Sequence, residues 1–158
     1  MFSKDAVGRW SVAVAFVVGM GLVGGCAGRP SLFPSSDPGL RKTSAEFAAD
    51  AAKRSYPATA PRGGDAQAQA SVDHGMLNRI DVSNLSDGDW NGAEIWVNEK
   101  YVVYVPNWPA KRMEQITFQM LYDRDGKSFP VNNKQYRVQS LEVFHDGKLY
   151  NIPRRLAE

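Results

Sequence analysis

Residues able to do chemistry are few in this chain. It holds one cysteine, Cys26, and two histidines, His74 and His145. Neither histidine has a metal-ligand partner at zinc-finger or HExxH spacing. His145 belongs to His145-Asp146-Gly147-Lys148, a turn sequence, where a solvent-exposed side chain is expected. There is no G-x-S-x-G nucleophile elbow and no glycine-rich phosphate loop. Two acidic pairs remain, Asp87 with Asp89 and Asp123 with Asp125. Calcium takes clustered oxygen ligands, yet the third acidic position and the distal glutamate of an EF-hand loop are missing. Glycosidases use paired carboxylates, but nothing in the sequence places these two pairs across a cleft. Aspartates ahead of Gly or Trp in turns more often form Asx-turns or caps, which is the leading reading, with calcium second. The expectation is a protein that is not an enzyme and uses no cofactor and no metal.

Cys26 has a different context. Lys4 and Arg9 precede an apolar run from Trp10 to Val23. A basic start, a short apolar stretch and small residues at its end make a secretory signal peptide. A membrane span needs about 20 apolar residues, so the run is too short to cross alone. Gly19, Gly21, Gly24 and Gly25 also make it a poor permanent helix. The run ends in Leu22-Val23-Gly24-Gly25-Cys26, which resembles the lipobox of bacterial lipoproteins, with Val23 where leucine is commonest. That resemblance implies lipidation of the Cys26 thiol, with cleavage just before it. It also implies further acylation with palmitate-type chains. Two or more acyl chains anchor a protein stably. Being the sole cysteine, Cys26 has no disulfide partner within the chain. Ala27 stands where aspartate is absent. In Gram-negative lipoproteins this implies the periplasmic face of the outer membrane.

Removing residues 1–25 leaves 133 of the 158 residues, enough for one domain and a tether. The full chain has 19 Lys+Arg against 17 Asp+Glu, a formal charge of +2. That balance excludes an electrostatic footprint for nucleic acid and a polybasic patch for anionic lipid. Membrane attachment is expected through the acyl chains.

Residues 26–75 read as a lipid-anchored linker. Prolines, glycines and serines dominate 27–39, and Pro57, Pro61, Gly63 and Gly64 precede an Ala/Gln run. Within it, Thr43-Ser44-Ala45-Glu46 is a capping-box sequence. The alanines that follow favour a helix over 43–56, stopped by Pro57. Leu40, Phe47 and Ala51 share one side. The helix either docks through Phe47, on the β domain or on a partner, or flickers within a flexible stalk. A flexible 49-residue linker would span roughly 35–40 Å.

From Met76 the texture becomes β-like, with Val, Ile, Tyr, Phe and Trp in short runs broken by Asp, Asn and Gly. Strands are expected near 77–84, 92–98, 100–106, 114–122, 136–144 and 148–153, with a short one around 128–131. Asp125-Gly126 and Asp146-Gly147 supply hairpin turns. A third hairpin is expected at Asn98-Glu99-Lys100. An even loop there puts Trp96 on one face with Tyr101, Val103 and Val105, and an odd loop swaps the second strand. The fold class is all-β, a small sandwich of about seven strands over 76–158.

Asn84-Leu85-Ser86-Asp87-Gly88-Asp89-Trp90, followed by Ile95-Trp96-Val97-Asn98, resembles uncharacterised bacterial lipoproteins with an N-x-S-D-x-D-W stretch. Leu121-Tyr122-Asp123-Arg124-Asp125-Gly126-Lys127 resembles the L-Y-D…G-K hairpin of FxLYD-type extracellular domains, with Phe118 one residue farther from Leu121 than that pattern has it. The resemblance covers about fifty residues. It implies an immunoglobulin-like sandwich in an envelope protein, and no catalytic residues.

The aromatic residues are the functional lead. Trp90 and Trp96 read as core. Trp108, in Pro106-Asn107-Trp108-Pro109, is expected in an exposed loop and is, with Phe47, a candidate partner contact. The expected function is a non-enzymatic interaction module that binds an envelope protein. The alternative is a carbohydrate-binding module for cell-wall or surface glycan, which needs two or three coplanar exposed rings.

Overall fold

A computed structural model describes residues 37–133 and 135–155. The signal-like run and Cys26 lie outside the described residues. The chain is mostly β, with eight strands in two sheets and one α-helix. The strands are β1 (Arg62–Asp65), β2 (Ala68–Asp73), β3 (Arg79–Asn84), β4 (Trp90–Val97), β5 (Tyr101–Trp108), β6 (Met113–Thr117), β7 (Leu141–His145) and β8 (Lys148–Asn151). One sheet runs β1-β8-β7-β4-β5 and the other β2-β3-β6, in a sandwich-like arrangement. All pairs are antiparallel except β1 with β8.

Between the sheets lies one apolar core. Alternate residues supply it, as a period of two requires: Ile80 and Val82 from β3, Ala93, Ile95 and Val97 from β4, Tyr101, Val103 and Val105 from β5. The β4–β5 register settles the hairpin. Val97 pairs with Tyr101 and Trp96 with Val102, around a three-residue loop whose Asn98 and Glu99 adopt φ of 54° and 57°. The loop is odd, so Trp96 shares the outer face with Val102 and Tyr104. Its inward neighbours, Ile95 and Val97, meet Tyr101 and Val103.

The helix α1 (Ser44–Ala52) is capped as its sequence predicts. Glu46 N–H donates to Thr43 Oγ1, and Thr43 N–H donates to Glu46 Oε2 at 2.7 Å. It is not a stalk element. Phe47 is buried in the main core with Leu40, and α1 lies along β5. It ends at Ala52, short of the expected 56. Residues 53–56 turn off across the outer face of the five-stranded sheet, where Arg54 reaches Glu94 and Tyr56 reaches Glu142.

Three further expectations are corrected. Residues 62–73, assigned by composition to the linker, form β1 and β2, so the folded body begins well before Met76. Small and polar residues hide this from a hydrophobicity reading. Ala68 and Ala70 are buried opposite Asn84 and Val82, and Gly63 lies flat on a ring. The expected strand at 114–122 stops at Thr117, and a 3-10 turn (Phe118–Met120) follows it. The strand expected from 136 starts at Leu141. Before it, Asn98 Oδ1 takes the N–H groups of Gln139 and Ser140, replacing a ladder with a side-chain bond.

Candidate functional site

Trp108 is not in an exposed loop. It is the last residue of β5, fully buried, pairs with Trp90, and donates its Nε1–H to Arg112 O at 3.1 Å. The two indoles meet edge to face at 5.3 Å. Pro106 and Pro109 flank it without exposing it, because the β4 partner carries the pairing this far. Phe47 is likewise buried, against the core of its own chain. Trp90 and Trp96 are buried as well, so every tryptophan among the described residues is inside.

His145 is not a solvent-exposed turn residue. It ends β7, its side chain is 12% exposed, and it lies stacked between Trp90 at 4.6 Å and Tyr150 at 4.9 Å. Trp108, Trp90, His145 and Tyr150 thus form a continuous aromatic column. The acidic pairs act as turn and cap groups. Asp123 is buried, and its Oδ1 accepts from the N–H groups of Asp125 and Lys127, while Lys100 Nζ lies 3.4 Å from Oδ2. Asp89 accepts from Ala110 N–H at 2.8 Å, and Asp87 pairs with Lys111 at 3.0 Å. Among the described residues no group of three or more His, Cys, Asp or Glu side chains could hold a metal ion.

Three places gather polar groups with apolar surface. The first is the outer face of the five-stranded sheet, crossed by residues 53–61. Glu142 is buried there. It accepts from the Tyr56 hydroxyl at 2.8 Å and is ion-paired with Arg62. Burial and the Glu142 carboxylate together raise the Tyr56 hydroxyl's pKa. Tyr56 stands edge-on to Trp96 at 5.5 Å, and Arg54, paired with Glu94 at 3.1 Å, lies over the Tyr104 ring. A buried carboxylate needs such compensation. The sequence signal for this cluster was weak, because its members lie up to 86 residues apart.

The second is a cleft of about 270 Å³ beside that crossing, with Tyr56, Trp96, Lys100 and Asp123 on its walls. The third is a cavity of about 260 Å³ between the β2–β3 turn and the long connection after β6. Phe118 and Phe129 floor it, 4.8 Å apart, and Tyr136, His74 and Arg137 line its sides. His74 accepts at Nε2 from Val138 N–H at 3.2 Å. Burial, then the neighbouring Arg137, hold its pKa below the ordinary 6.5. Nearby, Tyr101 is pushed well up by burial and by Tyr136. Beside this cavity stand Met76, 93% exposed, and Val131. In comparisons against protein-family models, curated proteins and solved structures, nothing matches this chain.

Proposed function

We propose that this chain is a lipid-anchored envelope lipoprotein whose β domain is a non-enzymatic module for binding an envelope protein. The observation that carries the reading is the order of parts. An apolar run closes on Leu22-Val23-Gly24-Gly25-Cys26, and the described residues after it fold into a mostly β body. Ala27 after the cysteine supports sorting to the periplasmic face of the outer membrane in a Gram-negative host. The strand order supports the immunoglobulin-like assignment. Counting β2 to β8 as seven sandwich strands, the first, second and fifth form one sheet. The fourth, third, sixth and seventh form the other. Connections that cross between the sheets in this Greek-key manner are those of immunoglobulin-like and fibronectin-like sandwiches.

Such sandwiches bind through loops clustered at one end. Here the end with the β2–β3 turn and the 118–140 connection holds the aromatic-floored cavity, Met76 and Val131. These replace Trp108 and Phe47 as partner contacts. The glycan alternative needs exposed coplanar rings. Trp90, Trp96 and Trp108 are buried, so it stands only as an outcome of the test.

The test is a photo-cross-linking amino acid at Met76 or Val131 in the lipidated, tagged protein in its own cells, followed by mass spectrometry. One dominant protein captured from these positions, and not from Lys148, is the expected result. Captured glycan without a protein would favour the alternative. No position-dependent capture would overturn the module. Separately, Cys26→Ser should abolish incorporation of labelled palmitate and release the protein from membranes.

A further inference from the structure

The cavity between the β2–β3 turn and the connection after β6 has polar walls of one chemical kind. His74, Asn78, Asn133 and Arg137 bring hydrogen-bond donors to it, and none of its described lining residues carries a carboxylate. His74 Nε2 accepts from Val138 N–H at 3.2 Å. The proton of the neutral ring therefore sits on Nδ1, which is left as a donor. Burial, then Arg137, favour that neutral form. Arg137 is exposed and has no carboxylate partner among the described residues. Two other charges act on His74. Arg154 donates from Nη1 to Val138 O at 2.7 Å. Asp73 is engaged at both oxygens, by Gly75 N–H at 2.6 Å and Leu77 N–H at 3.3 Å. An arriving anion thus meets Arg137 without a rival acid on the wall.

The floor is apolar. Phe118 and Phe129 lie 4.8 Å apart, and Tyr136 stands edge-on to Phe129 at 5.3 Å. A volume of about 260 Å³ falls short of the roughly 300–1,000 Å³ of a drug-sized ligand site, so it has room for one amino-acid-sized group. One fixed cation over an apolar floor suits a single carboxylate on an apolar body. A phosphate dianion would lack a second cation and would lose hydration over the rings. A broad open depression adjoins the cavity. The two share Phe129, Val131 and Asn133, and the amides of Asn132 and Gln135 line the open part. A free small acid would leave that depression unused. A chain whose last residue sits in the cavity runs out across it, where side-chain amides can meet its peptide groups.

We propose that this cavity receives the carboxy-terminal residue of the partner protein, its terminal carboxylate on Arg137 and its apolar side chain on Phe118 and Phe129. This rests on the reading of the domain as a protein-binding module and names the feature that the module recognises. The planar guanidinium fork matches a carboxylate through two parallel bonds, whereas a lysine would offer only a point charge.

The test uses the full-length protein in detergent, with hexapeptides that carry a fluorophore at the amino terminus and end in phenylalanine, leucine or valine. Fluorescence anisotropy reads the binding. At least one free-acid peptide should bind, and its carboxamide twin should bind about ten- to a hundredfold more weakly, the worth of a charge-assisted hydrogen bond. Arg137→Gln should weaken the free acid by a similar factor, and Arg137→Lys should fall between. Arg137 is exposed, so Arg137→Gln should keep the wild-type denaturation midpoint, which is measured alongside. No binding by any free-acid peptide, or binding indifferent to both amidation and Arg137→Gln, overturns the inference. So does N-acetylphenylalanine binding as tightly as the phenylalanine peptide, which would make the ligand a free small acid. The module reading beneath is judged separately. A protein cross-linked from Met76 or Val131 whose capture survives Arg137→Gln keeps the module and sinks the chain-end site. Carboxylate-dependent peptide binding with no protein captured supports the site while the envelope-protein reading fails.

Discussion

Gly63 lies flat against the ring of Tyr150. A Cβ built at position 63 comes within 2.0 Å of Tyr150 Cε1, closer than any real contact. Tyr150 cannot swing aside freely, because its other side is stacked on His145, which is stacked on Trp90. Gly63→Ala should therefore destabilise the domain by about 1–3 kcal/mol, the range for overpacking. Chemical denaturation checks it. In a Tyr150→Ala background the same substitution should cost much less, and a double-mutant cycle reads the coupling. Additive effects would show that β1 does not pack on the ring.

Phe47 is the anchor of α1 in the core, so Phe47→Ala should cost about 3–5 kcal/mol, as truncation of a buried aromatic does. Thr43→Ala removes the reciprocal cap with Glu46 and should cost about 1 kcal/mol. A flickering stalk helix would leave the denaturation midpoint unmoved in both.

Trp108→Ala should destabilise severely, about 3–5 kcal/mol, because the indole fills the core and satisfies Arg112 O. Trp108→Phe keeps most of the volume and should be milder. Loss of a binding partner in Trp108→Ala would then track unfolding, and circular dichroism of the same preparation distinguishes the two.

His74 gives a pH dependence with a definite sign. Its folded pKa lies below the ordinary 6.5, through burial and then Arg137, with Arg154 acting in the same direction and Asp73 opposing. The unfolded chain thus binds the proton more readily. The contribution is complete above 6.5 and is lost as pH falls from there through the lowered folded value. Urea midpoints should fall between about pH 7.5 and about pH 5.5. His74→Gln, which can still accept from Val138 N–H, should flatten that fall. Asp50, held low by Lys42, begins to matter only below its ordinary 3.8, outside this window.

What the sequence alone determined is local. The capping box at Thr43, the Asp-Gly turns at 125–126 and 146–147, and the alternation in β3, β4 and β5 depend on residues within a few positions of one another. Their conformational preferences act before any distant contact forms. The tertiary structure decided the rest. Ala68, Ala70 and Gly63 have no hydrophobic pattern of their own, and they are strands because β3 and β8 offer edges and Tyr150 a flat ring. Trp108 carries prolines close on either side, yet it is buried because Trp90 stands opposite it. Glu142 is stable inside only because Tyr56 and Arg62 reach it from some eighty residues away. A partner so far along the chain leaves no periodic trace, since nothing in a local window encodes which distant edge, ring or charge will complete it.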